Sequence, residues 1–476
     1  FNSVRLVNDA NTMQIVDASL ATGDITVEDG NGALDMFTGG TGNDSLVLDR
    51  FETIADMGAG DDSVDTNGYD YGDADAGTLD GGDGIDAIAI DDGAELDAET
   101  AANISNFEVL DFSDGTGTYD LSIEASLDDI RATGSIVAPV TITEFASSEN
   151  LTLTDFVDTD AITVTLATDS AADNTTVNLV AEDTSENNTI DGETDAVLVM
   201  EEFETLTINS TGVNTAGDVD ADDVPFEPSD YANTVDLDAS DMTKLNVTGD
   251  AQTTVIFTGA EALTQIDASA NTAGVTVDAS AGGVVAGISF DGTDADDTFT
   301  ATANGDIIQA NGGVDTITLG AGEDVVRYVA QSDSVLTLTD TSDPADGVVD
   351  EGTGWDIITG FTTGDDIIEL SSLLGLGTGD ARSAVLQKGD VDGANGTPGF
   401  QFDDLQSAIG DGVDFFSDGL VDRAVAFASN DAATATNDQG IVFVDVTGDG
   451  DFTAADDMAI ELAGVTSFSV ADLQFG

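Results

Sequence analysis

Four aspartates near the middle of the chain recur at an interval of nine residues: Asp297, Asp306, Asp315 and Asp324. Carboxylate oxygens and backbone carbonyls exposed at turns are the ligands that hard cations such as calcium prefer. The spacing matches neither a helix nor an ordinary alternating strand, and it indicates a chain that turns, forms a short strand and turns again. The chemistry that these residues suggest is therefore calcium binding between successive turns.

Further copies of the same unit lie near the start of the chain. The segment Gly39–Val47 fits Gly-Gly-x-Gly-x-Asp-x-apolar-x at every fixed position, and Asp35 precedes its aspartate by nine residues. Gly58–Val64 repeats most of the unit, and Gly81–Ala89 is a full match that is out of phase with the others. An insertion around 69–75 would account for the change of phase.

The elements that position these aspartates are predicted to be short parallel strands. Two places after each central aspartate comes an apolar residue: Phe299, Ile308, Ile317 and Val326. Side chains alternate along a strand, so this residue points into a core, while the preceding glycines permit positive φ and let the turn aim its carbonyls inward. The predicted fold class is all-β, with parallel β-roll or β-helix segments and further β-solenoid or β-sandwich domains.

The composition limits the possible partners. The chain of 476 residues has 96 acidic and 8 basic side chains, a formal charge of -88, yet 41% of its residues are hydrophobic. It is therefore not an acidic disordered chain, and bound metal or a salty medium is the natural source of neutralisation. Without a basic patch, nucleic acid is an unfavourable partner, and no apolar run is long enough to span a membrane. Cysteine is absent, so disulfides are excluded.

Changes of sequence texture suggest four regions: 1–98 with the first repeats, 99–290, 291–332 with the tandem repeats, and 333–476. The second region is rich in Thr, Ala and Val, and both an irregular solenoid and stacked sandwiches fit it, with the solenoid slightly favoured. Its apolar anchors Leu245, Ile266 and Ile288 lie about one β-helix turn apart. A short helix or turn is predicted over 370–376, and strands are predicted near the end of the chain.

The repeats resemble those of the RTX (repeats-in-toxin) family, calcium-binding parallel β-rolls of secreted bacterial proteins, over about 30–95 and 290–330. The resemblance implies several calcium ions on the aspartates and glycine-turn carbonyls. The implied residues, with two aspartates that follow the repeats, are Asp35, Gly40, Gly42, Asp44, Gly58, Gly60, Asp62, Gly82, Gly84, Asp86, Asp297, Asp306, Gly313, Asp315, Gly322, Asp324, Asp356 and Asp366. Met57, Ala301 and Ala303 stand where the family has glycine, which weakens those turns as predicted sites.

The last region resembles the domain that follows the β-roll in serralysin-type and other RTX proteins. In that family the final residues are an uncleaved signal for one-step export, which implies a secreted, extracellular protein. Within this region, Asp445 to Asp456 has the spacing of an EF-hand loop, with Asp449, Gly450 and Asp451 between them. A solvated acidic turn is the alternative there, and the acidic run 218–223 is likewise interpreted as a solvated face rather than a metal site.

The residue types also limit catalysis. The chain has no histidine and no cysteine, so imidazole bases, thiol nucleophiles and the histidine zinc site of the proteases are excluded, and no enzyme activity is expected. The leading hypothesis is a structural protein of the cell surface, a calcium-dependent surface-layer subunit that assembles with copies of itself on a Gram-negative cell, with cell-surface polysaccharide as a further partner. The alternatives are an RTX adhesin or extracellular filament and a polysaccharide-active β-helix enzyme.

Overall fold

A computed structural model gives the fold of the chain. It describes residues 3–7, 13–30, 32–73, 75–113, 115–123, 126–134, 136, 138–154, 160–181, 189–190, 197–213, 231–339, 351–376, 381–390, 416, 423–430, 439–452 and 456–475. The structure is nearly all β, with 5% helix. No helix among these residues has both the length and the apolar character needed to cross a membrane.

The chain divides into two compact units, Phe1–Met242 and Thr243–Gly476. Both units consist mainly of parallel strands stacked turn upon turn, and together they contain about 12 turns of β-solenoid. The prediction of a parallel β-roll or β-helix is therefore confirmed. The described strands of the region 99–290 are also stacked in parallel as solenoid turns, so the sandwich alternative is wrong for them.

The first unit has three parallel sheets. One contains Ser3–Val7, Asp24–Glu28, Ser45–Val47, Ser63–Asp65, Ala87–Ala89, Val109–Asp111, Asp129–Thr133, Asn150–Thr154, Asn174–Ala181 and Thr205–Gly212. The second contains Ile15–Asp17, Met36–Thr38, Ile54–Asp56, Leu79–Asp80 and Ile104–Ser105. The third contains Gly117–Asp120, Val140–Phe145, Ile162–Leu166, Leu198–Val199 and Ala232–Asp238, with Thr189–Ile190 paired to the last. Short 3-10 helices lie at Gly93–Glu95 and Leu121–Ile123.

The second unit has two long stacks of strands. One contains Lys244–Gly249, Gln265–Asn271, Ser289–Asp291, Ile307–Gln309, Val325–Arg327, Ile367–Glu369 and Leu473–Gln474, all parallel. The other contains Gln252–Gly259, Val275–Asp278, Thr298–Thr300, Thr316–Thr318, Asp356–Thr359, Met458–Ala463, Gln439–Val444, Val425–Asn430 and Val385–Asp390. Its last strands include two antiparallel pairings.

Small elements complete the second unit. Thr337–Thr339 and Glu351–Thr353 form an antiparallel pair. The one α-helix of the described residues is Ser371–Leu374, which confirms the predicted short helix. Single 3-10 turns lie at Gln331–Asp333, Ala381–Ser383 and Val470–Asp472.

Stacks of inward-facing apolar side chains form the core. In the tandem repeats, equivalent strands lie 18 residues apart, as Thr298 and Thr316 show, so two nine-residue units make one turn. One stack of paired residues is Leu245, Ile266, Phe290, Ile308, Val326, Ile368 and Leu473. A second is Val255, Val277, Phe299, Ile317, Ile358 and Leu462. The stacks meet across the core, where the rings of Phe290 and Phe299 lie 4.3 Å apart.

The pairing of the strands shows whether two spacings inferred from the sequence are right. The anchor that pairs with Ile266 is Phe290 and not Ile288, because the strand begins only at Ser289. The insertion that the sequence predicts around 69–75, by contrast, is confirmed. Ser63 pairs with Ala87, which makes that turn six residues longer than the 18-residue turn between Ser45 and Ser63. The additional residues carry Tyr71 into the core, where it is 1% exposed.

Candidate metal sites

Aspartates on successive turns of the second unit form two ladders. In the first ladder, the amide of Asp297 donates a hydrogen bond of 2.8 Å to Oδ1 of Asp315. The amide of Asp315 donates a similar bond of 3.0 Å to Oδ1 of Asp356. Each carboxylate therefore holds the backbone of the turn before it.

The second ladder has the same geometry. The amide of Asp306 donates to Oδ1 of Asp324 at 2.8 Å, and the amide of Asp324 donates to Oδ1 of Asp366 at 3.0 Å. The ladder pattern stops at Asp366, whose amide donates to the carbonyl of Thr362, but Oδ1 of Asp472 holds the same turn by accepting the amide of Gly364 at 2.6 Å. This ladder thus joins the tandem repeats to the segment that the sequence analysis associated with export.

The first unit contains a third ladder. The amide of Asp44 donates to Asp62 at 2.5 Å, that of Asp62 to Asp86 at 2.7 Å, and that of Asp86 to Oε2 of Glu108 at 2.9 Å. The copy at Gly81–Ala89 is out of phase in the sequence, but its Asp86 follows Asp44 and Asp62 in the ladder.

The local sequence explains why the aspartates are buried. Each stands at the end of its turn, immediately before its strand, as Asp315 precedes Thr316–Thr318, except Asp356, which is the first residue of its strand. The side chain at this position and the apolar side chain two places later lie on the same inward face. The carboxylates of Asp306, Asp315 and Asp324 are fully buried as a result.

The ladder aspartates fall into two groups according to the partner of their second carboxylate oxygen. In the capped aspartates, Oδ2 accepts an amide hydrogen bond from its own turn. Thr302 caps Asp306 with its amide at 2.9 Å and its hydroxyl at 3.0 Å. The capped aspartates, with their partners, are Asp44 (Gly40), Asp297 (Thr293), Asp306 (Thr302), Asp366 (Thr362) and Asp472 (Ser469).

In the bare aspartates, Oδ2 is buried and has no hydrogen-bond partner. The bare aspartates are Asp62, Asp86, Asp315, Asp324 and Asp356. The amide of Gly320 approaches Asp324 without reaching hydrogen-bond geometry. A buried carboxylate oxygen left unpaired costs about 1–3 kcal/mol or more, so each of these atoms would be stabilised by a proton or by a bound cation.

Turn sequence separates the two groups. A glycine in the left-handed region lies two places before each bare aspartate: Gly60, Gly84, Gly313, Gly322 and Gly354. Three of the capped aspartates instead have threonine four places before them. Thr362 caps Asp366 even though Gly364, two places before this aspartate, also has positive φ. Two copies match the nonapeptide at every fixed position. Gly39–Val47 is capped and its glycines do not adopt positive φ, whereas Gly81–Ala89 carries the bare Asp86 and has Gly82 and Gly84 at positive φ.

The glycines also allow successive turns to lie in close contact. A methyl group on Gly60 would lie 2.3 Å from the carbonyl oxygen of Gly42, and one on Gly322 would lie 2.5 Å from the backbone of Asn304. No other side chain fits such spacing. The predicted site glycines Gly40, Gly42, Gly58, Gly60, Gly82, Gly84, Gly313 and Gly322 all pack this closely against a neighbouring turn.

Burial raises the carboxyl pKa values in these ladders. Burial, together with the neighbouring carboxylates, raises the pKa of Asp62 to about 7 and that of Asp324 to about 6. The pKa values of Asp315 and Asp356 are also raised, first by burial. The charged form of these carboxylates is therefore disfavoured unless a cation or further hydrogen bonds stabilise it.

The basic side chains lie elsewhere. In the part of the chain that the structure describes, no Lys or Arg forms an ion pair with a ladder aspartate. No three acidic side chains converge tightly enough there to hold a metal ion by themselves. A cation at a bare aspartate would need backbone carbonyls as additional ligands. The available donors are all oxygen, which is the donor set that calcium prefers.

Two predicted sites have other arrangements. Asp35 is exposed, lies outside the ladders and forms an ion pair of 2.9 Å with Arg50. In the EF-hand-like loop, Asp445 is buried and accepts bonds from Arg382 and the amide of Gly448. Asp449, Asp451 and Asp456 are exposed, and the loop does not bring the four carboxylates together. The acidic run 218–223 lies outside the described residues.

Several residues of the ladders were missed by the sequence analysis. Glu108 continues a ladder and Asp472 holds the turn of Asp366 without belonging to a recognisable repeat, and Asp457 rather than Asp456 accepts the amide of Val446 in the EF-hand-like loop. Thr293, Thr302 and Thr362 share one signal that could have been found, a threonine four residues before the aspartate.

Comparison with known proteins gives no family: no family model matches the chain, and no curated protein is significantly similar to it.

Proposed function

We propose that this protein is a calcium-dependent structural protein of the extracellular surface, a surface-layer subunit of the RTX type. The observation that carries the proposal is the row of buried, unpartnered Oδ2 atoms at Asp62, Asp86, Asp315, Asp324 and Asp356. Calcium bound at these atoms and at adjoining turn carbonyls would neutralise the buried charge and join successive turns.

The proposal assigns different roles to the two groups of aspartates. Bare aspartates bind calcium, whereas capped aspartates fold with amide and hydroxyl groups in place of the ion. Asp297 and Asp306, which open the first and second ladders, thus do not depend on the cation, whereas Asp315 and Asp324, one step later in each ladder, do.

Cation dependence would couple folding to export. With 96 acidic and 8 basic residues, the chain repels itself wherever divalent cations are scarce. Asp472 and the strand Leu473–Gln474 are bound into the last turn, against Ile368 and Glu369. A secretion signal in this segment would be accessible only before folding, so the proposal requires export first and calcium-driven folding outside the cell.

The described surface favours a structural role over carbohydrate processing. Its exposed large hydrophobic side chains are all aliphatic, including Ile15, Met36 and Ile54, which stack on three successive turns. Binding or cleavage of a polysaccharide usually uses exposed aromatic platforms, whereas an aliphatic stripe suits contact between protein surfaces. Bridging calcium between acidic copies would provide the remaining attraction.

The test is to image the purified chain and to measure its mass in solution with calcium, with magnesium and with a chelator. We expect ordered sheets with calcium only. Folded monomers that bind cells or glycans would favour the adhesin. Identical folding and assembly in calcium and chelator would contradict the proposal.

A further inference from the structure

The second sheet of the first unit presents two rows of side chains on its outward face. The first row, the aliphatic stripe, consists of three side chains that are 65%, 42% and 46% exposed on successive turns: Ile15, Met36 and Ile54. The second row, two residues further along each strand, contains three carboxylates and one hydroxyl: Asp17, Thr38, Asp56 and Asp80. A partner for this face must therefore cover apolar side chains and also accept a row of negative charge beside them.

One stack of strands in the second unit presents a different face. Two rows of paired outward positions run across five of its strands: Thr254, Thr276, Thr298, Thr316 and Ile357 in one, and Ile256, Asp278, Thr300, Thr318 and Thr359 in the other. The structure describes every residue of these rows, and Asp278 is the one charged side chain among them. We call Thr298, Thr300, Thr316 and Thr318 the threonine strip.

The threonine strip differs in charge from the other stack of the same unit. On that stack, Lys244 pairs with Asp267 at 3.4 Å and Arg327 pairs with Glu369 at 2.6 Å, each across adjacent strands. The chain as a whole has a formal charge of -88. A second acidic copy can approach the threonine strip without placing carboxylates against carboxylates, because the strip itself carries none.

Electrostatics also selects which surface of the second copy fits. If the aliphatic stripe met its own equivalent, two rows of aspartate would face each other, and like charges across an interface oppose association. The threonine strip instead offers methyl groups to the aliphatic side chains and hydroxyl groups to the aspartates. Thr318 accepts the hydroxyl of Thr359 at 2.9 Å, so its own hydrogen can be donated to a carboxylate of the partner.

The two surfaces also have the same period. Both are built on parallel strands, and neighbouring strands of a sheet lie about 4.8 Å apart. Side chains of the stripe can therefore fit between those of the strip at each step along the contact.

We propose that the aliphatic stripe of one copy docks on the threonine strip of a second copy. The inference rests on the proposed function, since it names the two surfaces through which the subunits meet. The contact is heterologous: each copy offers its stripe to one neighbour and its strip to another, so the association continues from copy to copy.

The absence of cysteine from the chain makes a direct test possible. Met36→Cys and Thr316→Cys are prepared as separate full-length variants, mixed in calcium and treated with a short bis-maleimide. We expect cross-linked dimers in the mixture and few in either variant alone. Ser289→Cys, at an exposed position on the other stack, replaces Thr316→Cys in the control mixture and should give few dimers.

A second variant tests the charge argument. Thr298→Asp places a carboxylate against the row of aspartates and should weaken assembly at least about tenfold, with the number of bound calcium ions unchanged. Ser289→Asp adds the same charge on the other stack and should leave assembly unchanged.

The outcomes separate this inference from the proposed function. Ordered sheets in calcium with no cross-link between Met36→Cys and Thr316→Cys, or with equal yield from Ser289→Cys, would overturn the contact and leave the proposed function standing. Dimers of Met36→Cys alone would show that the stripe meets itself and would also overturn it. Monomers of the wild-type chain in calcium would overturn both.

Discussion

The backbone amide of Asp315 donates a hydrogen bond of 3.0 Å to the carboxylate of Asp356, across 41 residues of sequence. The same bond joins Asp297 to Asp315 across only 18 residues. The ladder therefore keeps its geometry while the length of chain between its members more than doubles. What the ladder requires is an acidic residue at the start of a strand in the correct register, and the intervening loop is free to vary.

The distinction between bare and capped aspartates predicts unequal effects of the same substitution. Asp62→Asn should lower the number of calcium ions bound per chain by about one, because the amide cannot replace the charged Oδ2. Asp44→Asn, in the capped turn one step earlier, should leave the count unchanged. Equilibrium dialysis with metal analysis measures both, and equal losses in the two variants would disprove the distinction.

The hydroxyl of Thr302 should stabilise its turn without any cation. Thr302→Ala removes two contacts to Asp306, at 3.1 and 3.0 Å, and should lower the free energy of unfolding by about 1–3 kcal/mol in calcium or in chelator. Thr302→Ser keeps the hydroxyl and serves as the control. The check is denaturant unfolding under both conditions; equal stability of the alanine and serine variants would contradict the assigned role.

Stability without metal should depend on pH in a defined direction. The pKa of Asp62 is raised to about 7 and that of Asp324 to about 6 from an ordinary value of 3.8, so the folded chain binds these protons more tightly than the unfolded chain. Their contribution is fully present below pH 3.8 and is lost as the pH rises to about 7.

Raising the pH from about 5 to about 7 should accordingly lower the unfolding temperature of the chelated protein. The free energy of unfolding should fall by about 1 kcal/mol or more per group. High salt screens the exposed acids but not the buried ones, so the shift should persist in it. Calcium should remove the shift by occupying the same oxygens. A chelated protein that becomes more stable as the pH rises over this range would contradict the prediction.

Close packing of the turns predicts a strong effect of one methyl group. Gly60 has φ of +136°, and a Cβ there would lie 2.3 Å from the Gly42 carbonyl oxygen, so Gly60→Ala should cost more than about 3 kcal/mol. Gly134 also has positive φ but no atom within 4 Å of a Cβ, so Gly134→Ala should cost only about 1 kcal/mol. Denaturant unfolding in calcium compares the two variants. Similar losses in the free energy of unfolding would show that backbone strain, and not contact with the neighbouring turn, determines the effect.

Much of the fold could be predicted from the sequence because each turn is built from a short repeat whose period is visible in the sequence. Asp-x-apolar at intervals of nine residues identified the strands, their inward face and the aspartates Asp306, Asp315 and Asp324 that line the turns. The insertion before Gly81 was also found, because a change of phase is visible as spacing. Ile288 was placed wrongly, because two inward apolar residues stand close together and only strand pairing selects Phe290.

By itself, the sequence determined that this chain is acidic, is built of turns and short strands, and carries aspartates at regular positions on its turns. The tertiary structure decided which carboxylates have partners. Asp44 has the better motif and Asp315 the poorer one, yet Asp44 is capped and Asp315 is bare. The physical reason is that the second oxygen is satisfied or left unpaired by backbone amides whose direction depends on φ in the turn and on the turn stacked against it. Neither can be obtained from residue spacing alone.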